Sequence, residues 1–268
     1  MTGELSGDVR LTPAQRLAWL AANAGRNLRA GRAALRADAA KVALPASGTV
    51  PSSPARALTD AFLLAELPRL LPRRQLNVLE IGCGSGSFCA LLSRLGFAGF
   101  YTGLDIGDRF NSAPVPGFAK RFVQQDALTY EGDGAWDLIY SNSALEHIPA
   151  EQHLARRLGA RLAPGGLQLH IVPAPWALPL YLWHGYRQYP LAALAQRFDP
   201  ARTEVYRLGG PVAFLVHFLC ITVLETVLRV PFRRLLPGVY RALLRACRID
   251  RLFGQRPAIF YVVVERAP

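Results

Sequence analysis

Three glycines alternate with small or reactive side chains in Glu80-Ile81-Gly82-Cys83-Gly84-Ser85-Gly86-Ser87-Phe88. Before them, Val78, Leu79 and Ile81 read as a buried strand. After them, Phe88, Leu91, Leu92 and Leu95 repeat at the i, i+3, i+4, i+7 spacing of one helical face, and Gly96 stands where a helix commonly ends. A strand, a glycine turn and a helix start make a binding crevice at the carboxyl end of an α/β sheet, where a ligand closely approaches the backbone. A second strand, Tyr101-Thr102-Gly103-Leu104-Asp105, ends in an acid 23 residues beyond Gly82. That is near the roughly 20-residue offset at which a carboxylate accepts hydrogen bonds from ribose hydroxyls. The sixth position of the glycine pattern is Ser87, which argues against a dinucleotide such as NAD or FAD.

Three further segments follow in order: Gln125-Asp126-Ala127, then Trp136 through Ser141-Asn142-Ser143-Ala144-Leu145-Glu146-His147-Ile148, then Leu162-Ala163-Pro164-Gly165-Gly166-Leu167. With the glycine segment, they resemble the class I S-adenosylmethionine-dependent methyltransferases of the small-molecule type, from about Leu79 to Pro173 and more weakly to Pro268. The resemblance implies an α/β fold with a Rossmann-like, seven-stranded, mostly parallel sheet and helices on both faces. It also implies S-adenosylmethionine as cofactor. Gly82, Cys83, Gly84 and Gly86 would meet its methionine end, and Glu80 would fix the loop or the amino group. Asp105 would take the ribose, while Ile106, Asp126 and the Ala127 amide would hold the adenine; Ser141 is included in the same site.

The sulfonium methyl of such a donor is already electrophilic, so the protein must hold an acceptor atom in line with it. An oxygen or nitrogen acceptor can also need a base. Ser141, Asn142 and His147 follow the fourth strand, where that methyl would point. His147 is the candidate base, because imidazole titrates near neutrality; a loop-ordering role is equally open. Glu146 is expected to partner a nearby amide or arginine rather than act as a base. His184, Tyr186, Arg187 and Tyr189 form a second constellation that could line an acceptor pocket, with core and surface packing of aromatics as the alternative. His153 and His170 read as incidental. No metal-binding motif is present, so no metal is expected.

The chain has 268 residues, 51% of them apolar, and a net charge of +12. Residues 1–75 carry +6, residues 76–173 carry −2 and residues 174–268 carry +8. Basic flanks around a mildly acidic core suggest an anionic partner: a membrane surface, a phosphate-bearing substrate or nucleic acid. Cys83, Cys89, Cys220 and Cys247 show neither zinc-ligand spacing nor a disulfide framework. A reducing cytoplasm is the default, with the inner face of the membrane as a peripheral alternative. The first residues lack the apolar core of a signal sequence.

Thr12-Pro13-Ala14-Gln15 predicts a capped helix start. On that helix Leu17, Leu20, Ala24, Leu28 and Leu35 share one side and Arg26, Arg29, Arg32 and Arg36 another. Pro45 to Pro54 reads as a linker, and a helix over 55–71 precedes the first strand. Strands are predicted near 77–81, 100–105, 121–124, 136–141, 166–172, 202–208 and 258–265, with a helix over 151–162. Residues 209–256 form a helical insertion before the last strand; its 13-residue apolar run, Val212 to Leu224, is short of the roughly 20 residues that span a bilayer. The expected units are therefore 1–54, a donor-binding core over 55–208, the insertion over 209–256 and the last strand over 257–268. The function this predicts is methyl transfer to oxygen, then nitrogen or carbon, of a small-molecule or lipid-linked acceptor. A non-catalytic donor-binding scaffold in a membrane complex and an RNA methyltransferase are the alternatives; without a recognisable RNA-binding module, nucleic acid is not the expected partner. The insertion could be a lid, a dimer contact or a membrane contact, and the sequence leaves the oligomeric state open.

Overall fold

A computed structural model describes residues 5–29, 31, 33–40, 42, 52–132 and 134–268. The linker expected over 45–54 falls mostly outside the described residues, as does Arg32. The elements run in order α1 (Pro13–Leu28), β1 (Ala37–Ala39), α2 (Pro54–Leu70), β2 (Gln75–Ile81), α3 (Ser87–Arg94), β3 (Ala98–Asp105), β4 (Phe118–Gln124) and β5 (Trp136–Asn142). They continue with α4 (Glu151–Gly159), β6 (Leu162–Pro173), α5 (Leu191–Arg197), β7 (Thr203–Gly209), α6 (Pro211–Val216), α7 (Phe232–Leu235), α8 (Pro237–Ala246) and β8 (Ala258–Arg266).

The sheet has eight strands in the order β1-β7-β8-β6-β5-β2-β3-β4, one more than the seven expected. The extra strand, β1, pairs parallel to the edge strand β7, with Ala37 opposite Val205. Gln255 holds it there, since its side-chain amide exchanges hydrogen bonds with both backbone groups of Ala40, at 2.7 and 3.1 Å. The other strands fall where predicted, and β8 runs antiparallel to both β6 and β7. The strand order reverses between β2 and β5, so the loops after these two strands diverge and open a crevice at their carboxyl ends.

Both faces of the sheet are covered. Val78, Tyr140, Leu169, Ile171 and Val262 meet Phe62, Leu63 and Leu67 of α2. Leu79, Ile81, Ile139 and Val263 meet Leu154 and Leu158 of α4 and Leu194 of α5. Alternate residues of each central strand thus serve opposite cores, which explains their near-continuous apolar composition.

The N-terminal helix begins as predicted: the Gln15 amide donates to Thr12 Oγ1, and the Thr12 amide donates to Gln15 Oε1 at 2.9 Å. It packs through a different face, however. Leu17 and Leu28 are 69% and 86% exposed, whereas Trp19 and Asn23 are buried. Leu35 lies beyond the helix, packed in the core beside β1. The insertion is helical as expected, formed by α6, a π-helical run His217–Val227, α7, α8 and a 3-10 run Cys247–Phe253.

Phe62 is fully buried and its ring lies 5.3 Å from that of Tyr206. Phe62→Ala is therefore expected to cost about 3–5 kcal/mol in a denaturant titration. A loss below about 1 kcal/mol would mean that α2 does not depend on this contact.

Candidate active site

The turn after β2 is tied to the end of β3. The amides of Gly82 and Cys83 both donate to the Leu104 carbonyl, at 2.8 and 3.1 Å. The next amide, of Gly84, donates to Asp105 Oδ2 at 2.7 Å, and the Gly107 amide donates to Oδ1 at 2.8 Å. Gly82 is left-handed (φ 67°), and a Cβ there would lie 2.6 Å from that of Ala144. Gly84 is also left-handed, but a Cβ there would meet nothing within 4 Å. Its half-buried backbone therefore borders open space that leaves room for a ligand. Glu80 lies buried beneath the loop and accepts a short hydrogen bond from the Tyr101 hydroxyl. Burial pushes its carboxyl up to about 8. Burial likewise pushes the Cys83 thiol up to about 12, with Glu80 and Asp105 adding to the effect, so Cys83 fits the loop as a neutral side chain.

A cavity of about 700 Å³ opens over the ends of β2, β3 and β4. Gly82, Asp105, Ile106, Asp126 and Ala127 line it together, as do His147 and Tyr186. Ile106 is 77% exposed, presenting an apolar platform. Asp126 Oδ1 accepts from the Leu128 amide at 2.8 Å, which shapes the turn. Arg157 on α4 donates to the carbonyls of Ala127 and Leu128, at 2.6 and 2.7 Å. No local motif announces that anchor, because it comes from 30 residues downstream. A neighbouring cavity, lined by Glu80, Cys83, Gly84 and Asn142, lies on the other side of the glycine loop. Gly86, the third glycine, is left-handed and packs on Phe122, supporting the loop from outside both cavities.

Ser141 is corrected as a site residue. It is fully buried, and its hydroxyl lies 2.8 Å from His170 Nδ1. Because Gln168 Nε2 donates to Glu265, its Oε1 faces His170 Nε2, at 2.9 Å. The tautomer assigned by this network has Nε2 donating, so Ser141 donates to Nδ1. Burial holds His170 neutral, down at about 3. His170 is therefore part of a buried network and not incidental.

Arg187 is also corrected. Its guanidinium is buried against Glu151 and donates to the Pro149 carbonyl, while Arg197 Nε binds the other oxygen of Glu151 at 2.7 Å. This triad fixes the chain between β6 and α5. The other candidates do reach cavities: Asn142 and His184 line a third, smaller one, and Tyr186 lines the large one.

His147 lies in a 3-10 turn, Leu145–His147, and its Nδ1 is 2.7 Å from Asp8 Oδ2. Asp8 Oδ1 accepts from the Gly185 amide at 3.0 Å. Burial opposes charge on both groups, but their hydrogen bond and mutual attraction outweigh it. Asp8 is held down at about 2, and His147 is raised above its ordinary value. The Asp8 hydrogen bond orients the ring through Nδ1 and, among the described residues, leaves Nε2 free at the large cavity, an arrangement that serves the loop-ordering reading and the base reading alike. Ligand atoms of Asp8, His147 and His184 lie within 4.8 Å of one another. The Asp8–His147 contact nevertheless has the length of a proton-bearing hydrogen bond. Glu146, expected to have an amide or arginine partner, has none for either carboxylate oxygen among the described residues.

Residues 55–204 match the family described as methyltransferase domain. An uncharacterized methyltransferase of Mycobacterium tuberculosis is 32% identical over 129 residues, covering 45% of this chain and 62% of that protein. The chain thus spans about three-fifths of the length of that relative. A trans-aconitate 2-methyltransferase of Streptomyces avermitilis is 28% identical over 195 residues, covering 68% and 70% of the two chains. A methyltransferase from Galdieria sulphuraria, provisionally named for sarcosine and dimethylglycine, superposes with a TM-score of 0.52 at 18% identity, covering 78% of this chain and 84% of its own. The chain belongs to the class I S-adenosylmethionine-dependent methyltransferase family, whose methyl donor is S-adenosylmethionine.

The Asp8–His147 pair has a pH signature. The stability contributed by His147, whose value is raised, is present below its ordinary 6.5 and lost as pH rises through the folded value. That of Asp8 is present above 3.8 and lost as pH falls toward about 2. The melting-temperature difference between wild type and Asp8→Asn should therefore peak between about pH 4 and 6.5 and shrink on either side. The His147 ring should titrate at lower pH in the variant, as read by NMR. A difference that stays flat from pH 5 to 9 would sink the ion pair.

Proposed function

We propose that the protein transfers a methyl group from S-adenosylmethionine to an oxygen of a small-molecule or lipid-linked acceptor. The convergence of the glycine loop, Asp105 and Asp126 on one cavity at the carboxyl ends of β2, β3 and β4 supports this reading most directly. In it, the backbone of Gly82, Cys83 and Gly84 meets the methionine end of the donor, with Glu80 behind the loop. Asp105 accepts from the ribose hydroxyls, and the adenine lies on Ile106 between Asp126 and the Ala127 amide. Asn142 and Ser143 then stand between donor and acceptor, because they border the smaller cavity as well. The donor core comprises residues 55–208 and the strand within 257–268.

The insertion over 209–256 supports an acceptor reached at a membrane surface. Leu235, Leu236, Val239, Ile249, Leu252 and Phe253 are exposed there. Arg229, Arg234, Arg241, Arg245 and Arg251 are exposed among them. The insertion's two acids are used internally. Glu225 binds Arg233 at 2.7 Å, and Asp250 accepts from the amides of Val212 and Ala213, both at 2.8 Å. An apolar surface interspersed with arginine suits an anionic lipid headgroup layer. No helix among the described residues is long and apolar enough to cross a membrane.

Calorimetric titration tests the donor site. S-adenosylmethionine and S-adenosylhomocysteine should bind and NAD should not; Asp105→Ala should weaken donor binding at least tenfold, about 1.4 kcal/mol. Unchanged affinity in that variant would refute the site.

Co-sedimentation tests the membrane contact. The protein should pellet with phosphatidylglycerol vesicles and not with pure phosphatidylcholine, and the double variant Arg241→Glu/Arg245→Glu should stay in solution. Equal partition between the two lipids would exclude the electrostatic contribution.

A further inference from the structure

A cavity of about 230 Å³ lies beside the donor site, with Arg56, Asn142, Glu146, Tyr181, His184 and Phe260 in its wall. Glu146 is 1% exposed, and neither of its carboxylate oxygens makes a well-formed hydrogen bond among the described residues; the nearby Ser143 hydroxyl and its own backbone compensate only in part. A buried carboxyl left unpaired is costly to a fold and calls for an explanation. Its position is well determined. The Tyr186 amide donates to the Glu146 carbonyl at 2.7 Å. Gly185, left-handed at φ 62°, packs so closely that a Cβ there would lie 2.8 Å from that carbonyl oxygen and 3.1 Å from Glu146 Cγ. The wall opposite is aromatic: the Tyr181 ring lies 5.8 Å from both Phe260 and His184.

We propose that this cavity receives the methyl acceptor, that the acceptor is a small ring-bearing phenol with an anionic substituent, and that Glu146 takes the phenolic proton while Arg56 faces the anion. This rests on the donor site assigned above. The phenolic oxygen attacks the methyl carbon. The new C–O bond forms as the C–S bond breaks, and sulfur keeps the bonding electron pair as a thioether. The proton passes to the Glu146 carboxylate, so the positive charge of the sulfonium and the negative charge of the carboxylate disappear together.

Burial raises Glu146 to about 7, against the charge of His147 and the Ser143 hydroxyl, which lower it, and with Asp8, which raises it. Tyr181, His184 and Arg56 face the same cavity from the loop after β6 and from α2. Burial and the His147 charge hold His184 down as a neutral ring. A base near neutrality is well matched to a phenol, whose ordinary value is about 10. It is poorly matched to an aliphatic alcohol, which is as weak an acid as water. Aromatic walls suit a planar ring. A carboxylate as the methylated group would face the Glu146 charge directly, so the acid named in the Streptomyces avermitilis relative is not carried over.

The test supplies labelled S-adenosylmethionine with 3- and 4-hydroxybenzoate, 3,4-dihydroxybenzoate, 4-(hydroxymethyl)benzoate and benzoate. Methyl transfer is expected to a phenolic oxygen of at least one of the first three and to neither of the others. The wild-type rate should rise with pH through about 7. Glu146→Gln should lower kcat at least about 100-fold and remove that limb, with S-adenosylhomocysteine affinity unchanged as the control for folding and for the donor site. Arg56→Gln should raise KM for the hydroxybenzoate and not for the matching hydroxybenzamide. Donor binding without transfer to any phenol, or a Glu146→Gln variant as fast as wild type, overturns the proposal. Absence of donor binding overturns the donor-site reading as well.

Discussion

The site depends on the two backbone amides that share the Leu104 carbonyl. Through them, the turn after β2 is fixed to the last residues of β3 before any side chain is considered. Asp105 then closes the unit by accepting from Gly84. Loop, acid and strand ends form one rigid body, since β2 and β3 are paired in parallel from Gln75 opposite Ala98 to Ile81 opposite Leu104. A ligand recognised by both the glycine backbone and the Asp105 carboxylate meets a preformed surface, which keeps the ordering cost of binding low. The glycines are required by this geometry: a side chain on Gly82 would strike Ala144, and one on Gly84 would fill the open space.

A second constraint acts from across the chain. Residues 183–186 lie between the N-terminal segment and the turn that carries Glu146. The Trp19 indole and the Gly7 amide both donate to the Gly185 carbonyl, at 3.0 and 2.7 Å, while Asp8 accepts from the Gly185 amide. The same Asp8 raises the proton affinity of His147. The segment before the N-terminal helix therefore contributes to the site: Asp8 lines the large cavity and favours a positive charge on His147 next to the buried Glu146 carboxyl. That charge favours ionisation of Glu146 where desolvation opposes it.

Much of the fold was legible because parallel strands buried on both faces leave continuous apolar runs, and because glycine turns mark their carboxyl ends. β1 was not legible: Ala37-Asp38-Ala39 has no β-branched or aromatic residue, and its pairing depends on Gln255, more than 200 residues away. The packed face of α1 was misread for a related reason. Its apolar periodicity placed Leu17 and Leu28 together, but the packed face is that of Trp19, Asn23 and Arg26, with Trp19 donating to the Gly185 carbonyl and Arg26 donating to the Tyr186 carbonyl at 2.8 Å. Ser141 and Arg187 carry site-like chemistry that the fold spends internally, on His170 and on Glu151. Glu146 failed in the other direction. Its sequence context suggested a partner, and only burial without one revealed its character.

The insertion links these features to the surroundings of the protein. Its inner face helps build the wall of the smaller cavity: the His217 ring lies 4.9 Å from Tyr181, Thr222 donates to the Leu180 carbonyl at 2.9 Å, and Tyr240 donates to the Ser52 carbonyl, also at 2.9 Å. Ser53 and Tyr181 border the smaller cavity, so these contacts brace its wall. The outer face keeps its leucines and arginines exposed because both acids of the insertion are committed inward. If the smaller cavity holds the acceptor as proposed, an element with one face on that cavity and the other carrying exposed leucines and arginines would give an acceptor delivered from a membrane a short path to the methyl group. The hydrophobicity of the segment then has a location as well as a composition: under the proposed function it is concentrated where the acceptor would arrive, away from the loop assigned to the donor.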